Sequence, residues 1–133
     1  MRKKITYGLL TILFIGGLYL GLRFEFGLFT PLNFWTARND IENGKIQIVV
    51  IGEILPTDKQ RQSLAKANGF NFYYFGDNIS TDIINGAKYY NKAMVDYFEK
   101  KYGSGWWTKF QTQLDSIDKP NTMRIINKNG TLY

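Results

Sequence analysis

The chain contains no cysteine and no histidine. The first absence removes disulfide staples, thiolate metal ligands, a cysteine nucleophile and the lipidated cysteine of a bacterial lipoprotein. The second removes the side chain most used as general base and as zinc ligand. Hydrolytic chemistry would fall to carboxylates, and no cofactor is called for. Internal repeats, low-complexity runs and long linkers are also missing. No acidic residue precedes Glu25, whereas Arg2, Lys3, Lys4 and Arg23 supply four charges of the net +6. From Phe24 onward there are 13 basic and 11 acidic residues, a balance of only +2. The basic excess flanks a hydrophobic segment and does not form the one-sided cluster that nucleic acid requires, so no nucleic-acid partner is expected.

What is present is apolar and aromatic. Residues 5–22 are uncharged over 18 positions, about 27 Å as a helix, enough to cross the hydrocarbon core of a bilayer. A cleaved signal peptide has a shorter apolar region and a small-x-small site after it; neither fits this segment. The reading is an uncleaved single-pass anchor over residues 1–23, with the lipid bilayer as its partner. The positive-inside rule places its amino terminus in the cytosol and the rest on the periplasmic face of an inner membrane. Gly17 and Gly21 form a small-xxx-small pair suited to close helix packing. Phe24, Phe26, Phe29, Phe34 and Trp35 then crowd the exit from the membrane, where aromatic rings prefer the headgroup region. Thr30-Pro31 predicts a helix start and Asn43-Gly44 its stop. Residues 24–44 thus read as a juxtamembrane helix or linker, lying on the bilayer or packed on the domain beyond.

Residues 45–133 read as a small α+β domain with a sheet of three or four strands. "KIQIVVIGEI" (45–54) and "FNFYYFG" (70–76) carry the β-branched and aromatic content of strands. A short helix between them, with a Thr57/Gln60 capping box and an Asn68-Gly69 stop, makes the pair a parallel crossover. The longest helix begins at Ser80 or Thr81, and Ile83, Ala87, Tyr90, Met94 and Tyr97 form its inward stripe. It ends in "KKYGSGWWTKF" (100–110), where Gly103 stops one helix and Ser104 is expected to cap the next. Trp107, Phe110, Leu114 and Ile117 make the second helix's stripe, so the two should pack as a corner. Trp106 points about 100° away from Trp107 and either packs on Tyr102 or stays exposed with it as a partner contact. Lys119-Pro120 is the expected end of this helix, and Asn129-Gly130 predicts a terminal hairpin.

Polar residues offer little else. Asp77, Asn78 and Asp82 in "GDNISTD" supply oxygens of the kind calcium takes, but their spacing is not that of an EF-hand loop, and a strand-to-helix turn explains them. No metal site is expected. A carboxylate hydrolase would need Asp77 or Asp82 to meet another acid, such as Glu53, across a cleft. The segment "YYNKAMVDYFEKKYGSGWWTKFQTQLDSI" (89–117) resembles a pattern of small uncharacterised envelope proteins of Bacteroidota-type bacteria. There a YN-containing helix ends in a KYG-like stop before a tryptophan-led helix. The resemblance implies an envelope location and no activity. The expectation is a membrane-anchored, non-enzymatic binding or accessory subunit acting on another envelope protein. An immunity protein against an envelope-targeting toxin, and the carboxylate hydrolase, are the alternatives.

Overall fold

The computed structural model describes the backbone of residues 2–76 and 79–129 and the side chains of 3–76 and 79–119. The element order is α1 (Arg2–Phe26), α2 (Phe34–Glu42), β1 (Gln47–Ile51), α3 (Asp58–Ala67), β2 (Asn71–Gly76), α4 (Thr81–Tyr102) and α5 (Trp106–Asn129). α1 is long and apolar enough to cross a membrane, and none of its apolar stretch is buried within the protein. Its glycines at 8, 16, 17 and 21 meet nothing within 4 Å among the described residues. A helix apolar on all sides with no protein around it is consistent with a single membrane pass, and an uncleaved or cleaved signal segment has the same character. The helix does not stop at Arg23 but continues to Phe26.

The start of α2 lies three residues later than the Thr30-Pro31 signal. Asn33 takes the cap: its Oδ1 accepts from the Trp35 and Thr36 amides, and the Thr36 hydroxyl accepts from the Asn33 amide in return. Thr30 is occupied elsewhere, its hydroxyl directed to the carbonyls of Gly27 and Leu32. Asn43 and Gly44, the latter at φ +72°, close the helix as its Asn-Gly pair predicts. α2 buries Ala37 and packs on α4, the second of the two placements the sequence left open.

β1 and β2 pair in parallel through α3, with Gln47 opposite Asn71 and Val50 opposite Tyr74, and an irregularity between Val50 and Ile51. Among the described residues the sheet has two strands, where the sequence pattern suggests three or four. Side-chain amides explain the shortfall. On the free edge of β1, Asn91 of α4 donates to the Val49 carbonyl (2.7 Å) and accepts from its amide (2.8 Å). On the free edge of β2, Gln62 of α3 accepts from the Phe72 amide (2.8 Å). Each helix thereby supplies some of the hydrogen bonds that another strand would have made, both at Val49 and one at Phe72.

The core lies where the aromatic face of β2 meets α4 and α5. Phe70, Phe98 and Phe110 are buried, with ring centroids 4.8 Å apart for Phe70–Phe98 and 5.0 Å for Phe70–Phe110. The predicted stripe of α4 holds at Ala87, Tyr90 and Met94, joined by Phe98. α5 does not end at Pro120, and Met123–Asn129 continue it instead of starting a hairpin. An interior proline costs a helix one N–H bond, but a hairpin here would need a sheet edge to join, and both edges are taken. Gly130 and the rest of the predicted turn lie outside the described residues.

Candidate functional site

Two regions stand out: the junction of α1 with α4, and the corner between α4 and α5. At the junction the chain leaves α1 through Gly27, at φ +62°. A Cβ added to Gly27 would stand 2.1 Å from the Gly86 Cα, and one added to Gly86 would stand 2.1 Å from the Leu32 carbonyl oxygen. Only two glycines allow the backbones to meet this closely. Around this contact, Arg23 Nε donates to Asp82 Oδ2 at 2.8 Å, Asn85 Nδ2 donates to the Phe24 carbonyl at 2.7 Å, and the Phe26 ring packs on Tyr89 at 5.5 Å. The Asp82 side chain is only 4% exposed. Hydrogen bonds from the Ser80 hydroxyl and from Arg23, with the nearby guanidinium charge and the Ile83 amide, hold its carboxyl below the usual range despite its burial. The last turn of the apolar helix is thus riveted to the first turns of α4.

The structure places the sequence candidate Asp82 at this junction. Asp82 is committed to Arg23 and serves as a structural anion at the base of the head. Asp77 and Asn78 lie outside the described residues. Among the described residues no group of three or more carboxylates gathers to hold a metal.

At the corner, Gly103 (φ +101°) ends α4 and Gly105 (φ +81°) leads into α5. Ser104 is not the cap expected there. Glu99, one turn from the end of α4, reaches across to accept from the Gly105 and Trp107 amides, the latter at 2.9 Å. A carboxylate at a helix amino terminus also meets the positive end of its dipole. Glu99 therefore fixes the angle between the two helices. Trp106 packs on Tyr102 (5.0 Å, stacked), on Phe98 (4.9 Å) and on Phe110 (5.6 Å), so it is a half-buried wall of the core. Tyr102 remains 44% exposed. Together with Ala67, Asn68 and Gly69 at the end of α3, these two rings line an open groove of about 420 Å³. The Lys101 ammonium lies 5.1 Å from the Tyr102 ring and 5.4 Å from that of Tyr97. The groove is an aromatic shelf with a cationic rim, of a size to receive a side chain.

Other polar groups are clasps. The Thr57 hydroxyl is expected to begin a capping box with Gln60, but it donates instead to Asp118 of α5 at 2.8 Å. Asp58 turns back to accept from the Leu55 amide, and burial together with this neighbouring carboxylate pushes the Tyr74 hydroxyl up to about 12. Buried Tyr90 donates to Asp40 and accepts from Gln47 (3.0 Å), tying α2, β1 and α4 together; burial first, and Asp40 next, push its hydroxyl up. The Gly27–Gly86 contact, Asn91 and Gln62 escape a reading of the sequence. Gly86 had one visible signal, a glycine inside the periodic pattern of a long helix. Comparison with protein families, with curated proteins and with solved structures finds no match.

Proposed function

We propose that this chain is a single-pass, membrane-anchored binding or accessory subunit of a cell-envelope assembly, with no catalytic role. Its amino terminus lies in the cytosol and its head on the extracytoplasmic side. One observation carries the reading: the rivet between α1 and α4 at Gly27–Gly86, Arg23–Asp82 and Asn85–Phe24. A tethered enzyme needs only to be kept near the membrane, and a flexible linker does that. A rigid joint fixes the direction in which the head faces, which is useful when the head must meet another membrane-bound surface. The contact assigned to that meeting is the shelf of Tyr102 and Trp106, whose half-exposed aromatic character suits an interface anchor.

The test is site-specific photo-crosslinking in cells, with a benzophenone side chain at Tyr102 and, as control, at exposed Lys88. The expected result is one discrete adduct from position 102, to an envelope protein that also copurifies in mild detergent and is lost on Tyr102→Ala. Equal or absent crosslinking at the two positions would refute the assignment.

A further inference from the structure

Among the described residues, the outer surface of α2 is not covered by another element, and the Phe29 ring in the turn before it stacks on α1. Phe29, Phe34 and Trp35 are 55%, 42% and 57% exposed. α2 has two apolar faces. Ala37 and Ile41 point inward to the core, while Phe34, Trp35 and exposed Arg38 point out, the Arg38 guanidinium lying 5.7 Å from the Phe34 ring. Phe29 is the most telling of these residues. It is the one non-glycine residue with positive φ among those described, at +67°, a costly conformation for an aromatic side chain. The distortion does not bury the ring in the head. It turns the ring back along α1 to stack on Tyr19 at 5.1 Å. Tyr19 lies one turn before Arg23, on the part of α1 that is apolar and bare. Phe29 therefore sits beside the last membrane-spanning turn, and the chain bends to place it there.

Resting on the anchor reading above, we infer that Phe29 and the outer face of α2 are a second membrane contact, seated in the headgroup region of the leaflet from which α1 emerges. The occupant is lipid. Continuity with the spanning helix holds the patch at that depth, and its make-up of exposed aromatic rings with the Arg38 guanidinium beside Phe34 suits the headgroup region. The head then touches the bilayer twice, through α1 and through α2. Two contacts set its tilt as well as its height.

A chain with no cysteine of its own makes the test clean. Single variants Leu13→Cys, Phe29→Cys, Trp35→Cys and Lys59→Cys of the full protein are spin-labelled and reconstituted in phosphatidylcholine vesicles containing phosphatidylglycerol. Each label is then read for collision with oxygen, which partitions into lipid, and with a water-soluble nickel chelate. Leu13 reports the span, and Lys59 on α3 reports solvent. The inference expects labels at 29 and 35 to favour oxygen, as at 13, with 59 favouring nickel. If 13 is lipidic while 29 and 35 behave like 59, the second contact is overturned and the anchor stands. If 29 and 35 are shielded from both reagents, a protein covers the patch and the inference also fails. A label at 13 open to nickel would sink the anchor itself.

Discussion

Gly86→Ala is expected to destabilise the head, although helix propensity alone argues the opposite. Replacing a glycine inside a helix with alanine ordinarily gains about 1 kcal/mol. Here the new methyl would lie 2.1 Å from the Leu32 carbonyl oxygen and 2.6 Å from the Thr30 hydroxyl oxygen, and both are held by the turn that leads out of α1. That turn must move by more than an atomic contact allows. Overpacking of this kind costs about 1–3 kcal/mol. The displaced Thr30 hydroxyl would also lose its single donation, shared between the Gly27 and Leu32 carbonyls, at about 1 kcal/mol. After subtracting the propensity gain, the net loss is roughly 1–3 kcal/mol. For a head of this size that corresponds to a fall in Tm of roughly 5–20 °C. The assay is thermal unfolding of the full chain in micelles, followed by near-ultraviolet circular dichroism of the aromatic core. Gly17→Ala, which meets nothing within 4 Å, is the matched control and should leave the head's Tm unchanged. A Gly86→Ala protein melting at or above the wild-type temperature would refute the close-packed junction.

Asn91→Leu should cost about 2–4 kcal/mol by stranding the Val49 amide and carbonyl on the β1 edge, and hydrogen exchange at the Val49 amide should accelerate. Asp82 contributes stability above the ordinary carboxylate range, because its folded-state value is depressed; that contribution disappears as the pH falls through the range and below it. In urea titrations at stepped pH, wild type should exceed Asp82→Asn at neutrality and converge on it in acid; a gap independent of pH would reject the assignment. Phe98→Ala, at the centre of the ring cluster, should lose about 3–5 kcal/mol in denaturant unfolding. Tyr102→Ala should lose under about 1.5 kcal/mol, since nearly half of that ring already faces solvent; a larger loss would make Tyr102 a core residue and remove the shelf.

The parts legible in the sequence are those written in local periodicity. The α4 stripe, the parallel β1–α3–β2 unit and the Asn43-Gly44 stop each follow from spacing within one segment. The parts that escaped depend on a single residue acting across the fold. Asn91 and Gln62 look like ordinary polar positions on amphipathic helices, yet they close the sheet edges and keep it at two strands. Thr30, Thr57 and Ser104 carry sound capping signals, but Asn33, Asp118 and Glu99 win the competition for the hydroxyl or the helix end, Asp118 from distant sequence. Asn129-Gly130 is a strong turn signal, but Met123–Asn129, the first arm of the expected hairpin, run on as helix. At the corner, the tryptophan pair was readable as packing, whereas the groove beside Tyr102 needed the end of α3 to form its floor.

The junction and the groove sit at opposite ends of one helix. α4 meets the membrane helix at Asp82, Asn85 and Gly86, and it ends at Tyr102. Twenty residues of helix separate Asp82 from Tyr102, about 30 Å at 1.5 Å per residue. Gly86, Ala87, Tyr90, Ala93, Met94 and Phe98 keep that length buried on one side, so α4 cannot pivot without breaking the core. A rod clamped at its base and stiff along its length carries the orientation of its base to its tip. Under the proposed function, in which α1 is the membrane anchor, the Tyr102–Trp106 shelf would be held at a fixed distance and bearing from the bilayer by the backbone contact of two glycines and one buried ion pair. A docking surface positioned in that way would not have to search: a partner in the same membrane would meet it with tilt and height already decided, and the ordering cost of association would fall accordingly.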